Sequence, residues 1–118
     1  MPDMPKHAES AAMQACIDDC TSCHRTCLHN VRHCLEKGGK HADPSHIALL
    51  LDCAQICATS ADFLTRHSAQ HQGTCRVCAE ICEACAKSCE ALGDDMMKKC
   101  AEECRRCAES CRKMSAMS

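Results

Sequence analysis

Cysteines stand at positions 75, 78, 82, 85 and 89, at steps of three, four, three and four. An α-helix returns to one face at that rhythm, and the positions it marks normally carry large apolar side chains. The same rhythm places Cys16, Cys20, Cys23, Cys27 and Cys34 upstream, then Cys53 and Cys57, and downstream Cys100, Cys104, Cys107 and Cys111. Within these rows lie seven CxxxC pairs: Cys16/Cys20, Cys23/Cys27, Cys53/Cys57, Cys78/Cys82, Cys85/Cys89, Cys100/Cys104 and Cys107/Cys111. Residues four apart on a helix hold their Cβ atoms about 5–6 Å apart, whereas a disulfide wants them near ~3.8 Å. A bridge within one helix strains it. Two metal–sulfur bonds of roughly 2.3 Å span the same gap without moving the backbone, so the chemistry implied is coordination of a soft metal.

Two plainer readings compete. A cysteine content above one residue in ten is common in small secreted scaffolds stapled by disulfides. The segment MPDMPKHAES lacks the apolar run of about 7–15 residues of a secretory leader, and the expectation is a cytoplasmic protein with reduced thiols. Cysteine also serves as a small core residue. It buries less apolar area than leucine, so sixteen of them forfeit much of the ~25 cal/mol per Å² that drives collapse.

Thiolates select Cu(I), zinc or iron–sulfur clusters. Cu(I) ions, each between two thiolates that are themselves shared, approach one positive charge per sulfur, and such a column is nearly neutral. Isolated zinc tetrathiolates carry two negative charges each, buried charge is costly, and no position in the thiol rows is Lys or Arg. The balance favours many Cu(I) ions. The CxxC spacings here are links in helical ladders rather than zinc knuckles, and the spacing of cluster-binding ferredoxins is missing. Zinc binding in the manner of a metallothionein-like buffer remains the alternative.

Helices must position these thiols. Gly38 and Gly39 end a first long run, and Asp43 with Pro44 reads as an N-cap followed by a first-turn proline. HSAQHQGT at 67–74 marks a second break, and Gly93 with Asp94 a third. The predicted helices are about 7–37, 44–67, 73–92 and 95–114, with residues 1–6 and 115–118 expected to be disordered. Short connections favour antiparallel neighbours. The expected fold is all-α: one domain, an up-down-up-down four-helix bundle with a Cys-lined core. Arg76, Glu80, Glu83, Lys87 and Glu90 mark the wet side of the third helix, where Glu83/Lys87, like Glu102/Arg106 on the fourth, reads as an i,i+4 ion pair.

With a formal net charge of −2 and acidic and basic residues interspersed, no cationic stripe for nucleic acid stands out. HIALLLDCAQICA at 46–58 comes nearest to a membrane span and falls short of the ~18 residues needed, so a soluble chain is expected.

CIDDC, CHRTC, CAQIC, CAEIC, CAKSC, CAEEC and CAESC, repeated over four successive helices, resemble the bacterial copper storage proteins of the cytosolic kind across about residues 13–114. The resemblance implies a bundle that loads many Cu(I) ions, a homotetramer, and an open end lined by Met, His or acidic groups where ions enter. The second helix departs from the pattern, having only two thiols, with His46, Leu50, Ser60 and Leu64 at its other inward positions. Two ends are thereby distinguished. His46, Leu50, Leu92 and Met97 gather near Cys34, Cys89 and Cys100; Met13, Leu64, His67 and Met114 gather near Cys16, Cys75 and Cys111. The first end fits the family's entrance, with His46, Met96 and Met97 as entrance ligands. His29 and His33 are spaced for a shared metal but lie off the thiol face, and no role is assigned to them or to His24, His41, His67 and His71.

The function expected is storage of free or chaperone-delivered Cu(I) in the cytoplasm, without catalysis. A thiol oxidoreductase would need one exposed cysteine of low pKa in an asymmetric site, and the uniform ladder singles out none.

Overall fold

The computed structural model describes residues 7–117, with side chains from residue 11 onward. Four α-helices follow one another: α1 (His7–Lys37), α2 (Pro44–Thr65), α3 (His71–Leu92) and α4 (Asp95–Ala116), with a 3-10 turn, Gly39–Ala42, between α1 and α2. Among the described residues there is no strand. The α1–α2 link needs glycine twice, because Gly38 (φ 73°) and Gly39 (φ 58°) both adopt the left-handed region. The Asp43 carboxylate then accepts from the Ser45 N–H (3.0 Å), and Pro44 opens α2. Gly93 closes α3 at φ 77°, its N–H donating to the Cys89 carbonyl.

The α2–α3 junction differs from the sequence expectation. α2 stops at Thr65 and α3 starts at His71, two residues before the expected start. The stop is made by His67, a non-glycine at φ 54°. Its N–H donates to the Leu64 carbonyl (3.0 Å) and that of Ser68 reaches back to Phe63 O (2.9 Å), satisfying carbonyls that the helix leaves open. Gly73, the expected first residue of α3, therefore sits within its first turn. At the other end α4 continues past 114, so Ser115 and Ala116, expected to be disordered, are helical. Residues 1–6 and 118 lie outside the described residues.

α1 packs against α2 and α4, and α3 against the same two. Cys16 near the start of α1 meets Cys111 near the end of α4, while Cys34 near the end of α1 meets His46 of α2 and Met97 of α4. Those pairings fix the antiparallel up-down-up-down order of a rod 57 × 19 × 18 Å. By length and composition α2 would pass as a membrane span, which the sequence expectation did not allow for. Here it is a wall of the bundle, burying Leu50, Cys53, Cys57 and Leu64.

Outside the core, α3 and α4 are clamped by charge. Arg105 donates to Glu90 (3.0 and 2.6 Å) and to Glu83 (3.2 Å), and Arg112 reaches the other Glu83 oxygen at 2.8 Å. Glu83 thus bridges two helices instead of pairing with Lys87 along its own, and Arg106 pairs with Glu103 (3.0 Å), not Glu102. The Arg112 hydrogen bond holds the Glu83 carboxyl below its usual range. A depressed carboxylate contributes stability above its unfolded value, about pH 4.3, and loses it as pH falls through the folded value. With both arginines 40% or more exposed, solvent screening limits the effect. Glu83→Gln is expected to cost about 1 kcal/mol at pH 7 and less at pH 3, read from urea unfolding. An equal loss at both would show that the carboxylate charge is irrelevant.

Candidate metal centre

All sixteen cysteines are free thiols with no exposed surface. Each helix gives them one row because the 3-4 spacing keeps them on the inward face, with Ala54, Ala79, Ala86, Ala101 and Ala108 buried beside them. The sulfurs form a continuous column. From the α1 start, Cys16 lies 3.6 Å from Cys111, which lies 3.6 Å from Cys20, and Cys20 lies 3.6 Å from Cys107. Cys57 takes over at 3.7 Å from Cys107, Cys78 and Cys82 alike. Cys82 is 3.6 Å from Cys53, which is 3.7 Å from Cys23 and 4.0 Å from Cys104.

These separations are far too long for a disulfide bond of about 2.05 Å. They fall within the span of two metal–sulfur bonds, at most about 4.6 Å when collinear. Groups whose sulfurs all lie within 4.8 Å of one another include Cys20/Cys78/Cys107/Cys111, Cys23/Cys53/Cys57/Cys82, Cys23/Cys27/Cys53/Cys104, Cys57/Cys78/Cys82/Cys107 and Cys16/Cys75/Cys111. Because the groups share members, one thiolate can serve two ions.

Crowding also divides the protons. Hydrogen bonds from Cys104 and then Cys23 hold the Cys53 thiol below its ordinary value, and those from Cys107 and Cys111 do the same for Cys78. Cys104 and Cys111 are raised, chiefly through Cys100 and Cys107, whereas Cys23 and Cys107 are themselves lowered, chiefly through Cys104 and Cys111. Arriving ions therefore displace the protons that these paired thiols share.

At the end formed by the close of α1 and the start of α4, the column finishes in mixed donors. His46 Nε2 is 3.4 Å and Met97 Sδ 3.7 Å from Cys34 Sγ, while His46 Nδ1 is 2.7 Å from Ser88 Oγ. Burial foremost pushes the Cys34 thiol up to about 11 and pulls His46 down, leaving a neutral imidazole able to ligate. Of the three residues read as entrance ligands, His46 and Met97 face Cys34. Met96 does not: it is 42% exposed and lies on the surface with His29, Lys99 and Glu103. Met96 and Met97 precede Cys100 by four and three residues, and the bundle turns only the second inward.

Ser88 was not singled out, having no spacing signal of its own. Besides His46, the polar residues Ser60 and Asn30 are buried, and the Ser60 hydroxyl and the Asn30 Oδ1 have no hydrogen-bond partner among the described residues. His24 is a strut, donating from Nδ1 to the Ala54 carbonyl of α2 (2.8 Å). His33 does not join His29. It and His41 turn to Asp94.

The sequence pattern describing copper storage proteins matches residues 9–116. The chain belongs to the copper storage protein family. Among solved structures, the Nmul_A1745 protein of Nitrosospira multiformis is 51% identical with a TM-score of 0.87, over 92% of this chain and 99% of that one. The Cu(I)-bound copper storage protein BsCsp3, whose metal-free form is from Bacillus subtilis, is 37% identical at a TM-score of 0.84, over 89% and 99%. A cytosolic copper storage protein from Streptomyces lividans with five coppers is 28% identical at 0.78, over 92% and 95%. The uncharacterized cysteine-rich protein YhjQ of Bacillus subtilis (strain 168) is 38% identical over 68 residues; the match spans 58% of this chain and 63% of that relative. The Streptomyces lividans protein is solved both with five coppers and loaded with 10 copper equivalents.

Proposed function

We propose that this copper storage protein accumulates Cu(I) along its thiol column in the cytosol. One observation carries the reading: sixteen unbridged, fully buried thiols whose sulfurs run the length of the bundle, neighbouring ones 3.6–4.0 Å apart where they touch. An arriving ion binds a thiolate pair and displaces its remaining proton. It then passes to the next pair by exchanging one sulfur at a time, since each step leaves it on thiolates already in reach. Soft, nearly neutral Cu(I)–thiolate units suit an interior in which, among the described residues, no Lys or Arg is buried.

Cys34 with His46 and Met97 forms the entrance in this reading, because imidazole and thioether are neutral ligands that hold Cu(I) without trapping it. The protein acts without catalysis, all its thiols being equally enclosed. A copper chaperone delivers the ion, and the chain works as a homotetramer. Leu28 and Leu35 of α1, Leu51 of α2 and Val77 of α3, each more than 40% exposed, supply the apolar contact area for the other copies.

Anaerobic titration of the reduced chain with Cu(I), followed by mass spectrometry with Zn(II) in competition, is expected to saturate near one ion per thiolate, roughly sixteen when each thiolate is shared. Saturation after one or two ions contradicts storage. Replacing His46 and Met97 together by Leu, which largely keeps the buried volume, is expected to slow uptake about tenfold. Unchanged uptake moves the entrance elsewhere.

A further inference from the structure

Three residues outside the thiol column meet at the same end of the bundle. His33 comes from the last turns of α1, His41 from the 3-10 turn and Asp94 from the residue that starts α4. His41 Nε2 donates to Asp94 Oδ1 at 2.8 Å, and His33 Nε2 lies 3.4 Å from Oδ2 of the same carboxylate. The imidazole rings stand edge to face, 6.0 Å between centres.

Asp94 holds the N-cap position of α4, yet its side chain makes no capping hydrogen bond. An N-cap aspartate ordinarily accepts from the first free N–H groups of its helix. Here both carboxylate oxygens face imidazoles instead. The three side chains are 25%, 13% and 24% exposed, so the cluster is shielded but open to an arriving ion.

We propose that His33, His41 and Asp94 form a site for one borderline divalent cation, of which Zn²⁺ is the example, separate from the thiol column. Two neutral imidazoles and a carboxylate are nitrogen and oxygen donors that suit zinc-like dications and match Cu(I) poorly. Three protein ligands leave a fourth position for water. Two donors bound tetrahedrally at about 2.1 Å lie about 3.4 Å apart. The His33 Nε2–Asp94 Oδ2 separation already has that value, and His41 Nε2, 2.8 Å from the other carboxylate oxygen, turns toward the ion as it replaces the proton. The bound ion ties α1, the 3-10 turn and α4 together beside Cys34, which follows His33 in the chain.

The test uses Cu(I)-loaded protein, whose thiols are occupied and cannot compete. Dialysed anaerobically against Zn²⁺, the wild type is expected to retain one Zn²⁺ per chain. His41→Ala and Asp94→Asn are expected to weaken that binding at least about tenfold while copper content stays the same. Absence of retained Zn²⁺ in the wild type, or equal retention by Asp94→Asn, overturns the proposal. Histidine ring resonances give an independent reading in the native chain: Zn²⁺ is expected to shift those of His33 and His41 and spare those of His29 and His67. Shifts confined to the latter pair overturn it as well. That readout stands whether or not the column holds copper, so failure of the storage reading and failure of this site are told apart.

Discussion

Filled with Cu(I), the chain is expected to unfold about 20 °C or more above its metal-free form. The metal-free core is the reason. Its large, fully buried side chains are Leu50, Leu64, Met97 and Met114, two from each end of the rod, and the space between them is occupied by cysteine and alanine. Cysteine brings little apolar area, and thiol–thiol hydrogen bonds are weak. An ion that binds only the folded chain adds about 2.7 kcal/mol when present at a hundred times its dissociation constant, and a column takes many ions. A few kcal/mol already move the midpoint of a domain this size by tens of degrees. Helical circular dichroism on heating, with and without Cu(I), measures the gap; coincident midpoints would mean that copper does not bind inside the folded bundle.

Serine at positions 53 and 57 is expected to remove more copper than two thiols account for, roughly four equivalents, because each thiolate bridges two ions. α2 contributes only these two sulfurs, yet they sit where the column passes between its halves. Cys53 touches Cys23, Cys82 and Cys104, and Cys57 touches Cys78, Cys82 and Cys107. Without them the ions beyond the gap lose both a ligand and a route. If the double variant loses only two equivalents or fewer, as counted by anaerobic titration, the thiolates are not shared and the pairwise transfer of ions along the column is wrong.

Much of this protein is legible in its sequence, because the information is local. A 3-4 spacing of one residue type fixes which face of a helix it occupies, and a thiol repeated sixteen times on that face leaves few chemistries open. The α1–α2 and α3–α4 links announce themselves through Gly38, Gly39, Pro44 and Gly93, whose backbone limits act within a few residues. The α2–α3 link was harder to place, since the left-handed residue is His67 and Gly73 is helical. Backbone N–H groups of His67 and Ser68 turning back to the Leu64 and Phe63 carbonyls, not glycine, make that stop.

Other features belong to the tertiary structure alone. Met96 and Met97 both fit helical spacing to Cys100, and the packing of α4 against its neighbours chooses which one faces Cys34. Glu83 has a partner four residues on, but the approach of α3 to α4 offers it two arginines with better geometry. His33, His41 and Asp94 are separated by up to 61 positions, and no local periodicity records that chain ends and turns bring them to one spot. Sequence settled the identity of the donors and the face they occupy, because helical periodicity is a property of neighbours. Which donors share an ion depends on distances between helices, and only the folded bundle sets those.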